Sequence, residues 1–392
     1  MKPFKILFYY FLFLSYSSWA VSFDWSGWAR LDSYYQHEGN YYGSFHSVLN
    51  SDIFITDSLS FKSRIDLFPF LKEKSLAENY LLFETAYRQT GFVFLYKEEG
   101  KKARSELPLV FFLPTQFYVD YQQEFFKVRL GRAPYHFGLG TTYSATNNPF
   151  EHWMSLYNQL SVLMEYQSIY IQPALLHGGE PSADLKLLEG ELSALLQAGI
   201  QQENWKLSAL YRHAFERDSL IELFGEYKKW NWDIRASSSY VFKPGVHFSL
   251  ALEGKMKLPS QIPIQLELKT GGVSGDLAFH PNYDMALLFW NRWMSGKELS
   301  AGNYPYQIAS GQVQKGIYFS PRAVFSFLDE TLRIQPLLLL AGSLEDKKLN
   351  YEMDLKAEYQ LDENLFFSLT AGALYSYEKL YLSLLAQTAA SF

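Results

Sequence analysis

The chain has 392 residues, a formal charge of −6, no cysteine and a mean hydropathy of −0.15. Those figures exclude an α-helical membrane protein, which needs repeated apolar stretches of ~20 residues. They also exclude a disulfide-stapled domain, a cysteine-ligated metal protein and a basic nucleic-acid binder. One feature stands out: 29 Tyr, 32 Phe and 9 Trp in a chain that is polar on average.

Residues 1–20 read as a secretory signal. Lys2 and Lys5 precede a short apolar run over 6–14, and Ser18-Trp19-Ala20 places small residues before a cut. Cleavage after Ala20 changes the charge from −6 to −8. Residues 21–392 then form one unit.

Past residue 22 the apolar period is two. In 349–360, Leu349, Tyr351, Met353, Leu355, Ala357 and Tyr359 fall on one face, and Asn350, Glu352, Asp354, Lys356, Glu358 and Gln360 on the other. That split predicts a strand between two unlike environments. It recurs around Arg30 and Asp32, in 59–68 with Lys62, Arg64 and Asp66, in 126–130 with Lys127 and Arg129, in 230–240 with Asp233 and Arg235, and in 262–269. Aromatic residues near strand ends, such as Phe23, Trp25, Trp230, Trp232 and Tyr359, fit interfacial girdles better than a soluble core.

Connections alternate between tight polar turns, at 121–124, 201–204, 328–331 and 361–364, and longer segments, at 98–107, 134–157, 178–190 and 271–315. Short turns at one end and long loops at the other predict an all-β fold: a transmembrane, antiparallel, up-and-down β-barrel. An even number of strands between 16 and 20 is expected, with 18 favoured. Residues 271–315 are expected to be one long external loop or a plug, and 80–96 one long strand or a hairpin.

The stretch from Val128 to Gly140 ends its alternation in Gly131-Arg132 and continues through Gly138 and Gly140. It resembles porin-like and alginate-export-like outer-membrane barrels, in which such a strand leads into a loop that folds into the pore. The resemblance implies Arg129 and Arg132 on the wall. It also implies a constriction loop over 133–157 with Tyr135, His136, Asn147, Asn148 and His152. The last strand alternates up to Phe392 and resembles the terminal signal read by the outer-membrane barrel assembly machinery. Thr388 and Ala390 are smaller than that signal usually carries.

The expected pore lining is Arg30, Asp32, Lys62, Arg64, Asp66, Lys127, Arg129, Arg132, Asp233, Arg235, Glu352, Asp354, Lys356 and Glu358. Charges of both signs are costly in a core but cheap on a wet wall. The function these features imply is an outer-membrane channel for passive or weakly selective diffusion of small hydrophilic solutes. Its partners would be those solutes, outer-membrane lipids, lipopolysaccharide and the assembly machinery, with no nucleic acid, and a homo-oligomer is compatible. The alternatives are a plugged transporter for a hydrophobic or polysaccharide substrate, and a barrel-borne lipid hydrolase. No cofactor or metal is implied. None of the eight histidines lies in a nucleophile or metal motif.

Overall fold

A computed structural model describes residues 21–36, 40–69, 110–143, 156–178, 191–215, 218–274, 283, 316–343, 349–376 and 379–392. The signal segment, 80–96 and most of 274–315 lie outside them. The described residues form eighteen strands. The first nine are β1 (Ser22–Gln36), β2 (Asn40–Phe54), β3 (Leu59–Pro69), β4 (Val110–Gln122), β5 (Phe126–Pro134), β6 (Leu156–Tyr166), β7 (Ile169–Gly178), β8 (Glu191–Gln201) and β9 (Trp205–Ala214). The second nine are β10 (Ser219–Lys229), β11 (Trp232–Phe242), β12 (Phe248–Leu258), β13 (Ile264–Val273), β14 (Gly316–Phe327), β15 (Leu332–Ser343), β16 (Leu349–Gln360), β17 (Leu365–Ser376) and β18 (Lys379–Ser391). Each pairs antiparallel with its sequence neighbours, and β1 pairs with β18, so the sheet is a closed barrel without an edge.

All four turns expected from the sequence join neighbouring strands at one end of the barrel, together with Ser22 and Ser391. This is the turn end; the longer connections lie at the opposite, loop end. Between β10 and β11 the turn has only two residues, and Trp230 takes φ 55° there, the left-handed geometry that such hairpins demand.

Polarity is inside out relative to a soluble sheet. On β16, Leu349, Tyr351, Met353 and Leu355 are exposed, while Asn350, Glu352 and Asp354 are buried. The outward row is therefore the apolar one, as a hydrocarbon environment requires. At the turn end Phe23, Trp25, Phe125, Tyr166, Trp230 and Trp232 form an exposed aromatic girdle.

Candidate lumen and constriction

Thirteen of the expected lining residues lie on the inward face. Arg132 does not share it. Arg129 pairs with Asp120 and Ser161, both inward, whereas Arg132 pairs with Phe117, whose ring is exposed on the outer face. The two arginines are three residues apart, and a strand alternates every residue, so the register sends them to opposite sides.

The inward charges are paired. Arg30 donates to Asp32 at 2.9 Å, and Gln387 of β18 donates to the same carboxylate at 3.0 Å, across the seam that closes the barrel. Arg64 reaches Asp66 through two nitrogens, both at 2.9 Å. Both guanidinium groups lie within 6 Å of the Trp28 ring, at 5.6 Å for Arg30 and 5.9 Å for Arg64. Arg129 and Lys127 share Asp120 at 2.7 Å and 3.0 Å, and Arg129 stacks on Tyr118 at 4.6 Å. Two cations on one carboxylate leave this patch positive.

On the far wall, register builds two rungs of alternating sign. One runs Lys206, Glu226, Arg235, Glu253, Lys269 across β9 to β13. The next, nearer the turns, runs Lys228, Asp233, Lys255, Glu267, Arg322 across β10 to β14. Glu253 lies 3.4 Å from Lys269 and 3.6 Å from Arg235, and Glu267 lies 3.3 Å from Lys255. Each rung holds three cations and two anions, so alternation sets opposite charges side by side and leaves a small positive excess.

Exposure of these side chains falls with distance from the turn end. On β3 it drops from 30% at Lys62 to 0% at Asp66. On β16 it drops from 25% at Glu358 to 0% at Glu352. On β10 it drops from 57% at Lys228 to 0% at Glu222. The wall is therefore accessible in the turn half and covered in the loop half.

Part of that cover is the segment after β5. The expected loop over 133–157 is shorter than that, because β5 includes Ala133 and Pro134 and β6 begins at Leu156. Gly138 and Gly140 take φ 57° and 74°, which bends the chain sharply. It then lies against the inner face of β7 to β11. Tyr135, Phe137 and Tyr143 pack with Leu176, Leu195, Leu210, Leu220 and Phe224 in one buried cluster. The Tyr135 hydroxyl donates to Gln197 at 2.8 Å. Burial holds that hydroxyl above the ordinary phenol range, so it stays a neutral donor.

Polar groups tie the segment down as well. Thr141 donates to Glu222 Oε1 at 3.0 Å, as does Ser237 at 2.7 Å, and Thr142 lies 3.4 Å from Ser239. Glu222 Oε2 is buried with no hydrogen-bond partner among the described residues. Tyr135 is thus an anchor against the wall rather than an aperture residue, while His136 is exposed. Asn147, Asn148 and His152 lie outside the described residues.

One described residue between β13 and β14, Tyr283, also lies in the interior. Tyr283 is buried, its hydroxyl 3.1 Å from that of Tyr318, with Lys269 over its ring at 4.8 Å. Burial, with Tyr318 beside it, raises the Tyr283 hydroxyl too.

Sequence reasoning missed Glu222, Thr141, Asp120, Tyr118 and Tyr283. It also missed the apolar patch under the loop, whose signal was doubled hydrophobics: Leu175-Leu176, Leu195-Leu196 and Leu210-Tyr211 carry apolar side chains on both faces where alternation predicts one. Thr141 and Tyr283 carry no such signal.

No family model matches the chain, and no curated protein does. Solved structures match it over nearly their whole length. OccAB4 of Acinetobacter baumannii aligns with a TM-score of 0.63 at 8% identity, covering 95% of this chain and 98% of that one. OpdK of Pseudomonas aeruginosa, solved with vanillate, aligns with 0.61 at 10%, covering 94% and 98%. A BenF-like porin of Pseudomonas fluorescens Pf-5 aligns with 0.61 at 8%, covering 95% and 98%. At such identities the likeness is one of fold, and it agrees with the strand count, the closure and the inverted polarity. The chain is an 18-stranded transmembrane barrel of the outer-membrane porin fold.

Proposed function

We propose that this protein is an outer-membrane channel for the diffusion of small hydrophilic solutes, with its turns in the periplasm and its loops outside. The observation that carries the reading is the inserted segment 135–143. It is fastened along the inner wall of β7 to β11 and leaves a wall of paired charges accessible in the turn half. A rigid constriction above a polar vestibule sets the size of what passes and does no chemistry. The pairing of opposite charges along the β9 to β14 rungs supports weak discrimination between ions. The Arg129–Lys127–Asp120 patch supports a modest preference for anions, and organic acids of the size of vanillate, the compound in one similar structure, are the first solutes to test.

Planar-bilayer recording of the purified protein tests this, with liposome swelling over sugars, amino acids and organic anions. Stable ohmic conductance with graded swelling is the expected result. The covered loop half favours a second reading, a plugged transporter, which would conduct only after residues 275–315 are shortened. Absence of conductance together with lipid hydrolysis would replace both with an enzyme.

A further inference from the structure

Glu222 is a buried carboxylate set among hydroxyls. Thr141 and Ser237 both donate to its Oε1, at 3.0 Å and 2.7 Å, and their own oxygens lie 3.4 Å apart. Ser239 stands directly opposite Glu222 in the register of β10 and β11, and its Oγ lies 3.4 Å from that of Thr142. Thr141, Ser237 and Ser239 are buried with the carboxylate. Oxygen-bearing side chains from β10, β11 and the segment after β5 thus meet in one place. Among the described residues no cation forms an ion pair with Glu222, and its Oε2 takes no hydrogen bond.

A buried carboxylate persists only when something cancels its charge. A proton does not settle this site. On Oε2 it would need an acceptor, and no described group bonds that atom. On Oε1 it would meet two hydroxyls that already donate there. A metal ion uses Oε2 directly, and the hydroxyls that donate to Oε1 keep lone pairs to offer it. Oxygen donors alone select a hard cation. The charge count selects a monovalent one, because the site holds one negative charge and a divalent ion would leave a buried excess. Oxygen–oxygen edges of 3.4 Å suit an ion the size of calcium, with metal–oxygen distances of ~2.3–2.6 Å. Sodium has that size and a single charge.

We infer that Glu222, with Thr141, Thr142, Ser237 and Ser239, binds a sodium ion that fastens the segment after β5 to β10 and β11. Thr142 is only half-buried, which leaves an ion a way in. The ion joins two residues of the segment to three of the wall, so its loss loosens the segment while the apolar cluster stays. The inference is independent of what passes through the lumen.

Limited digestion tests it. The protein in detergent is moved into choline chloride at neutral pH, and sodium chloride then replaces the choline at constant ionic strength, so that screening does not change. Chymotryptic cuts after Tyr135, Phe137 and Tyr143 are counted by mass spectrometry. An ion that binds only the docked segment protects it by mass action, so cutting should fall several-fold and saturate as sodium rises. Glu222→Gln should abolish the response. Thr142→Val, which keeps the carboxylate, should move it to higher sodium, and it serves alone if the first variant fails to assemble. Equal cutting in choline and sodium would overturn the inference. So would a sodium response unchanged in both variants, protection by calcium or magnesium where sodium gives none, or protection that follows pH and ignores sodium, which would put a proton on the carboxylate instead.

Discussion

The hydroxyl of Thr141, in the segment after β5, donates to the buried carboxylate of Glu222, in the middle of β10, at 3.0 Å. The two residues are 81 positions apart, and their contact converts a surface connection into an interior one. Replacing Glu222 by Leu removes the acceptor that Thr141 and Ser237 share; the two hydroxyls lie 3.4 Å apart, so one can donate to the other and one buried donor is left, at a cost of ~1–3 kcal/mol. Single-channel conductance should rise, with noisier traces, as the segment leaves the wall. Glu222→Gln keeps an acceptor oxygen and should stay nearer the parent. Equal conductance in all three proteins would show that this contact does not hold the constriction.

The apolar anchor is the larger one. Phe137 is buried with its ring centre 6.5 Å from that of Phe224. Phe137→Ala should weaken the docked segment by ~3–5 kcal/mol. Limited proteolysis of the folded barrel should then cut within 135–155 faster than in the parent, while heat-modifiable migration of the barrel on gels is unchanged. Resistance equal to that of the parent would place the anchoring elsewhere.

Selectivity separates the two arginines of the Gly-Arg segment. Arg129→Ala leaves Asp120 with Lys127 alone and should shift the reversal potential in a salt gradient toward cations. The shift should be larger at low ionic strength, where screening is weak. Arg132→Ala, in register with the outward Phe117, should move it less. The opposite ranking would show that the Arg132 side chain turns into the lumen.

Closure of the barrel depends on a missing side chain. Gly27 and Phe392 exchange backbone hydrogen bonds at 2.8 Å and 2.9 Å. A Cβ on Gly27 would lie 2.4 Å from the Val48 carbonyl and 2.6 Å from the Phe392 ring. Gly27→Val should lower the yield of the heat-modifiable folded form sharply, and Gly27→Ala less so. Normal assembly of Gly27→Val would show that the seam tolerates a shifted ring.

The Tyr135 hydroxyl gives a pH test. Its raised value means that its bond to Gln197 is intact below the ordinary phenol pKa of ~10, persists past it, and is lost only as pH rises through the raised value. Titrations followed by tyrosinate absorbance should therefore coincide for the parent and Tyr135→Phe around pH ~10. A difference there would show a hydroxyl open to solvent.

Much of this was legible in one dimension because the fold repeats a local rule. Alternation in 349–360 required two environments for β16, and the charged face proved to be the buried one. Polar tetrapeptides such as 361–364 marked the turns because only they could leave both faces. Parity also set the face of Arg129, and applied one step further it would have separated Arg132.

The lumen was not legible. Whether a wall charge is wet depends on what lies across the interior, and nothing near Asp66 or Glu222 in sequence distinguishes them from Lys62 or Lys228. The anchor of 135–143 joins β5 to strands 40 to 100 residues away, through contacts that no local periodicity encodes. The many aromatics in a polar chain were the one global quantity the sequence determined alone: alternation averages a lipid face and a water face to a hydropathy near zero. Tertiary structure decided which charges stay open to water. Closure curves the sheet around its interior, and only that curvature lets the segment after β5 cover the inner faces of β7 to β11.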